Sequence, residues 1–97
     1  MSFARHYAMI AASDQIPALE RALSDLAAAV RVIPGCEGVE VLRDLADQTR
    51  FVFVERWTSM DAHKSSASLL PKSAFAPVMA ALGEKPTTIN FEPLLSL

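Results

Sequence analysis

Between Arg50 and Trp57 the chain alternates so regularly that a strand is the natural reading, and the residues that follow are built to start a helix. Phe51, Phe53, Glu55 and Trp57 fall on one side of a period-two pattern. Thr58-Ser59-Met60-Asp61 then places a hydroxyl residue three positions before an acid, the arrangement that caps a helix N-terminus. The spacing predicts a short helix to about residue 67, carrying His63 roughly one turn in. This segment joins the chain's only tryptophan, a carboxylate and one of its 2 histidines.

The flanking sequence supplies the rest of an α+β chain. Residues 3–11 alternate, with Phe3, Arg5, Tyr7 and Met9 on one face and Ala4, His6, Ala8 and Ile10 on the other. Ser13 and Asp14 are helix N-cap residues, and Pro17 falls in the first turn, where its missing N–H costs nothing. Ile16, Leu19, Leu23, Leu26, Val30 and Ile33 recur at spacings of three and four, one apolar stripe of an amphipathic helix. Pro34-Gly35 ends that helix. Residues 37–45 alternate again, with Val39, Val41 and Arg43 opposite Glu40, Leu42 and Asp44. The short polar link 46–49 makes the next pair of strands an antiparallel hairpin. Lys72 to Leu82 reads as a helical piece, kinked at Pro77, with Phe75, Val78, Met79 and Leu82 on one face. Gly83 is a candidate C-terminal cap, and Thr87 to Phe91 is the last strand. The order β-α-β-β-α-β predicts one ferredoxin-like domain over residues 1–97, with an antiparallel sheet. Helices on one face leave the other bare, yet neither side of strand 3 suits water. Two sheets packed face to face would hide it, which predicts a homodimer.

Composition narrows the function. A hydrophobic fraction of 52% exceeds the usual range of about 45–50%, which points to a buried interface or an apolar cavity. The net charge is −2 with no basic block, so no nucleic-acid partner is expected. No apolar run approaches the roughly 20 residues of a membrane span. The N-terminal residues MSFARHYAMIAAS lack the order of a signal peptide, and Cys36 is the only cysteine, so no internal disulfide forms. A cytoplasmic protein is expected. No zinc-type Cys/His spacing, GxGxxG, P-loop or GxSxG occurs, so neither a metal nor a nucleotide cofactor is indicated.

Several residues can carry chemistry. His63 has the ordinary pKa of a proton shuttle; His6 is a weaker candidate. Trp57 is able to wall a pocket for a flat ligand and donate its indole N–H, or to anchor helix to sheet. Glu55 shares its face and, if buried, needs a partner; pairing across strands to Arg5 or Arg43 competes with a role as general base. Tyr7 offers a hydroxyl from strand 1, while Phe53, Phe75, Met79 and Leu82 are candidate pocket linings. Cys36 reads as a small buried hydrophobe.

Pro34-Gly35-Cys36 after the first helix, Glu55-x-Trp57 at the end of strand 3 and the following Ala62-His63 give the chain a layout that resembles the antibiotic biosynthesis monooxygenase family. The resemblance covers nearly the whole chain. It implies a homodimeric α+β barrel whose pocket lies between helices and sheet. It also implies a monooxygenase that uses molecular oxygen without metal or flavin on a small aromatic, polycyclic or quinol-like substrate. On this scaffold the candidate residues are His63, Tyr7 and Trp57 as catalytic and Phe53, Glu55, Phe75, Met79 and Leu82 as the substrate pocket. A haem-degrading branch of the family has an Asn on strand 1, a Trp in the second helix and a later axial His. Here those positions fall near Tyr7, at His63 and near Phe75 to Met79, where no His occurs. Ser65 to Lys72 reads as an insertion at the pocket mouth. Two other functions fit the same scaffold: a non-catalytic dimeric binding or stress-related module, and an oxygen-independent isomerase or decarboxylase.

Overall fold

A computed structural model describes residues 2–97. The alternating segments become four strands, β1 (Phe3–Ile10), β2 (Cys36–Arg43), β3 (Arg50–Trp57) and β4 (Thr87–Phe91). They form an antiparallel sheet in the order β2-β3-β1-β4, with β1 and β3 central. Helices α1 (Ile16–Arg31), α2 (Met60–Ser66) and α3 (Ala76–Ala81) complete the β-α-β-β-α-β order, with α2 and α3 sharing the place of the second helix. This is the ferredoxin-like fold.

The sheet's two faces follow from register. Tyr7 pairs with Phe53 and Arg5 with Glu55, while Val39 and Val41 oppose Glu55 and Phe53. These residues share the face that α1 covers through Leu19, Leu23, Leu26 and Val30, all buried. Phe51, Phe53 and Trp57 are at most 1% exposed and form the centre of the core. Burying side chains of this size stabilises by about 1.5–3 kcal/mol each.

Helix boundaries depart from the sequence reading in three places. Gln15, not Ser13 or Asp14, occupies the α1 cap, and it makes no side-chain cap bond. Ser13 and Asp14 sit inside a turn closed by the Gln15 N–H donating to the Ala12 carbonyl at 2.9 Å. Pro17 in the first turn removes one of the N–H groups a cap would satisfy. Pro77 does not kink a helix but starts one: a 3₁₀ turn, Lys72–Ala74, precedes α3, and Pro77 lies in its first turn. Gly83 is no left-handed cap, since α3 ends at an extended Leu82. Its N–H instead donates to the Ile10 carbonyl at 2.7 Å, and a Cβ there would lie 3.1 Å from the Ala11 carbonyl.

The start of α2 matters most for the site. Ser59 caps it, its Oγ accepting from the Ala62 N–H at 3.0 Å. Gly35 turns the chain from α1 into β2 at φ +92°, and its carbonyl accepts the Thr58 N–H at 2.9 Å. The α1–β2 junction is thereby tied to the cap of α2, which fixes where His63 is presented.

Candidate functional site

Between the sheet and α1 and α3 lies a cavity of about 110 Å³. Tyr7 and Met9 line it from β1, Phe53 and Glu55 from β3, Leu26 from α1, and Phe75, Val78, Met79, Leu82 and Pro86 from the chain around α3. Six of the eight residues singled out from the sequence therefore line one cavity: Tyr7, Phe53, Glu55, Phe75, Met79 and Leu82. Trp57 and His63 do not line it. They stand behind Glu55, with the indole and imidazole rings 5.5 Å apart at 73°. Phe3 packs edge-on against His63 at 5.8 Å. The Ser65 to Lys72 connection supplies no lining residue to this cavity.

Met9, Leu26, Val78 and Pro86 escaped the sequence reading because an apolar side chain at strand or helix period looks like core whether or not it borders a cavity. Asn90 also escaped notice; its carboxamide accepts from Arg5 Nη1 at 3.0 Å.

Glu55 is the only carboxylate among the described residues of the wall and is 6% exposed. Its partner is neither Arg5 nor Arg43. The Trp57 indole N–H donates to Glu55 Oε1 at 2.9 Å, since residues two apart on a strand share a face. Arg43, opposite Phe51 and therefore well along the ladder from Glu55, pairs with Glu20 instead. Arg5, although opposite Glu55 in register, donates from Nε to the Tyr7 hydroxyl at 2.6 Å and reaches Asn90 with its other arm. Burial pushes the Glu55 carboxyl above the ordinary carboxylate range, opposed by the Trp57 hydrogen bond and the Arg5 charge.

The other titratable groups respond to the same dry surroundings. Burial pushes the Tyr7 phenol up, and the Glu55 charge adds to this against Arg5. Tyr7 thus keeps its proton and, with its oxygen already accepting from Arg5, presents a donor. Burial lowers the His63 pKa, and the Arg5 charge lowers it further. His63 Nε2 lies 4.0 Å from Glu55 Oε1, too far for a hydrogen bond. Its Nδ1 is buried without a partner among the described residues. Cys36 is buried and its thiol is pushed up by burial, which makes it a packing residue rather than a nucleophile. His6 faces away from the cavity and packs on Phe91 at 4.7 Å.

An apolar chamber with one donor and one desolvated carboxylate can bind a flat ligand, orient it through a polar substituent and exchange a proton with it. No helix among the described residues is long and apolar enough to cross a membrane.

The fold is shared with many solved structures. Rv0793 from Mycobacterium tuberculosis superposes with a TM-score of 0.86 at 19% identity, covering 99% of this chain and 98% of that one. SnoaB from Streptomyces nogalater, a cofactor-independent oxygenase, gives 0.86 at 16% identity, covering 99% and 96%. A Chloroflexus aurantiacus protein of the antibiotic biosynthesis monooxygenase type gives 0.79 at 28% identity, covering 100% and 97%. No curated protein matches. The family model for antibiotic biosynthesis monooxygenases matches residues 3–69, from β1 through α2 and thus through every residue of the Glu55–Trp57–His63 group. The chain belongs to the antibiotic biosynthesis monooxygenase family.

Proposed function

We propose that this chain oxidises a small aromatic or quinol-like molecule with molecular oxygen, without a cofactor, in the cavity between the sheet and helices α1 and α3. The observation that carries this reading is the pairing of an apolar chamber with two polar groups on one wall, the Tyr7 hydroxyl and the Glu55 carboxylate. An electron-rich phenol or anthrone, once deprotonated, passes electrons to oxygen itself. The protein then needs to supply desolvation, orientation and proton transfer, the services this wall is equipped for. The cavity is smaller than the about 300–1,000 Å³ of typical ligand sites, which favours compact substrates. Phe75 and Met79, 42% and 59% exposed, are free to swing aside for larger ones.

Oxygen uptake by purified, metal-free protein against anthrones, naphthols and quinols tests the reading. Uptake should scale with protein concentration. Tyr7→Phe should lower it by about tenfold, the worth of one lost hydrogen bond. Substrate turnover that continues unchanged without oxygen would replace this reading by an isomerase or decarboxylase on the same proton-transfer groups. Uptake no faster than the buffer rate across the panel would sink it in favour of a binding module.

We further propose that a second copy of the chain covers the bare sheet face. Leu42, Ile89 and Phe91 on that face are 49%, 56% and 45% exposed. Leu42 lies in line with Val52 and Ala8 across the sheet, and Ile89 with His6, Val54 and Glu40. Val54 is already buried and Glu40 pairs with Arg56, so the face mixes exposed apolar side chains with polar ones, as subunit interfaces do. Ile89→Glu should convert the mass seen by light scattering from dimer to monomer. A monomeric mass for the unaltered chain would remove the dimer.

A further inference from the structure

We infer that Glu55 is the proton acceptor of this cavity, with Trp57 as the residue that positions it; the inference rests on the oxygenase reading only for the identity of the acid deprotonated. Three observations converge. Glu55 is on the wall, whereas His63 is not. Trp57 Nε1 donates to one oxygen, Oε1, at 2.9 Å. Oε2 has no hydrogen-bond partner among the described residues, and it is not among their fully occluded polar atoms without a partner. One carboxylate oxygen is therefore anchored from behind while the other is left to meet a ligand.

The alternatives on the wall do not serve. The Tyr7 oxygen is already accepting from Arg5 and its proton is held tightly, so it donates. Every other lining side chain is apolar. Among the described residues, the titratable and charged groups facing Glu55 are Arg5 and Tyr7 from β1, Cys36 from β2 and His63 from α2; α1 and α3 present only apolar side chains to the cavity. A buried carboxyl with a raised pKa is a stronger base than an exposed one and better matched to a phenolic or benzylic acid. In the step, the substrate O–H or C–H bond breaks and its proton forms an O–H bond on Oε2. The electron pair stays on the substrate as phenolate or carbanion. The neutral Glu55 acid keeps its anchor, since a protonated carboxyl still accepts the indole N–H at Oε1.

Deuterium exchange at the acidic methylene of anthrone, followed by NMR in anaerobic D₂O, isolates this step from oxygen chemistry. Quenching of Trp57 fluorescence confirms that the probe is bound. The unaltered chain should accelerate exchange over buffer, and Glu55→Gln should lose about 10²–10⁴-fold of that acceleration. Gln keeps the volume and the acceptor for Trp57, so the fold is retained. Trp57→Phe should move the acid limb of the exchange-against-pH profile to higher pH, because the lost N–H no longer favours the carboxylate; a purely structural role would lower the rate without moving the limb. Exchange within twofold of the unaltered chain in Glu55→Gln overturns the inference, as does exchange at the buffer rate with anthrone bound. Catalysed exchange that requires Glu55 without any oxygen uptake upholds the base and sinks the oxygenase reading. Oxygen uptake that Glu55→Gln leaves intact does the reverse.

Discussion

Gly35→Ala is expected to destabilise the chain by about 2–5 kcal/mol, because it combines a backbone cost with a steric one. At φ +92° an L-residue is strained by about 1–2 kcal/mol. The added Cβ would stand 2.5 Å from Ala62 Cβ and 3.2 Å from Thr58 Oγ1. Both are held in place, Ala62 in α2 by the Ser59 cap and Thr58 by its bond to the Gly35 carbonyl. Overpacking of this kind adds about 1–3 kcal/mol. In a domain of this size each kcal/mol moves Tm by about 4–8 °C, so a drop of about 8 °C or more should appear in thermal melts at fixed protein concentration. Adding Ala62→Gly relieves the contact but not the φ strain, so a double-mutant cycle separates the two. A Gly35→Ala melt within 2 °C of the unaltered chain would show that the junction is not packed as described. The same substitution pushes on the helix that presents His63 to Glu55, so the site and the fold share this hinge.

How far the residues could be read in advance depended on whether their partners lay near them in sequence. The strands declared themselves through period two: the alternation at 50–57 and the run Thr87–Phe91 are β3 and β4. The stripe on α1 was equally legible, because helix period states which residues face the core. Helix starts were less so, since Pro17 and Pro77 changed which N–H groups required a cap. Phe75, Met79 and Leu82 pointed toward a cavity by helical spacing. Nothing local shows, however, that a gap lies opposite them, which is why Leu26 and Val78 read as ordinary core. Glu55 shows the same limit from the polar side. Its face and its need for a partner followed from alternation and burial. The choice of the Trp57 indole over two arginines depended on sheet register and on Arg5 being occupied by Tyr7 and Asn90.

Trp57→Ala should be the most damaging single change in the chain, and Trp57→Phe should show why. Trp57 is 1% exposed and ranks with Phe51 and Phe53 among the largest fully buried side chains. Truncating it costs about 3–5 kcal/mol. It also removes the hydrogen bond to Glu55, and an unsatisfied buried acceptor adds about 1–3 kcal/mol. The sum approaches the about 5–15 kcal/mol that holds a small domain together. Trp57→Ala should therefore be largely unfolded at 37 °C, whereas Trp57→Phe keeps most of the packing and loses the N–H. The deficit of Trp57→Phe should depend on pH, and the sign follows from Glu55. Its carboxyl is raised in the folded state, so the stability carried by the protonated form is present below the ordinary carboxylate range and is lost as pH rises through the folded value. Removing the Trp57 N–H raises that value further. Urea unfolding should give a small Trp57→Phe deficit at pH 4 and a larger one at pH 8. Glu55→Gln, which cannot ionise, should match the unaltered chain at pH 4 and exceed it at pH 8. In the double variant Trp57→Phe/Glu55→Gln the pH-dependent part of the deficit should vanish, leaving the lost packing and the lost neutral hydrogen bond to the amide oxygen. A Trp57→Phe deficit equal at the two pH values would mean that the indole anchors the core without holding the carboxylate.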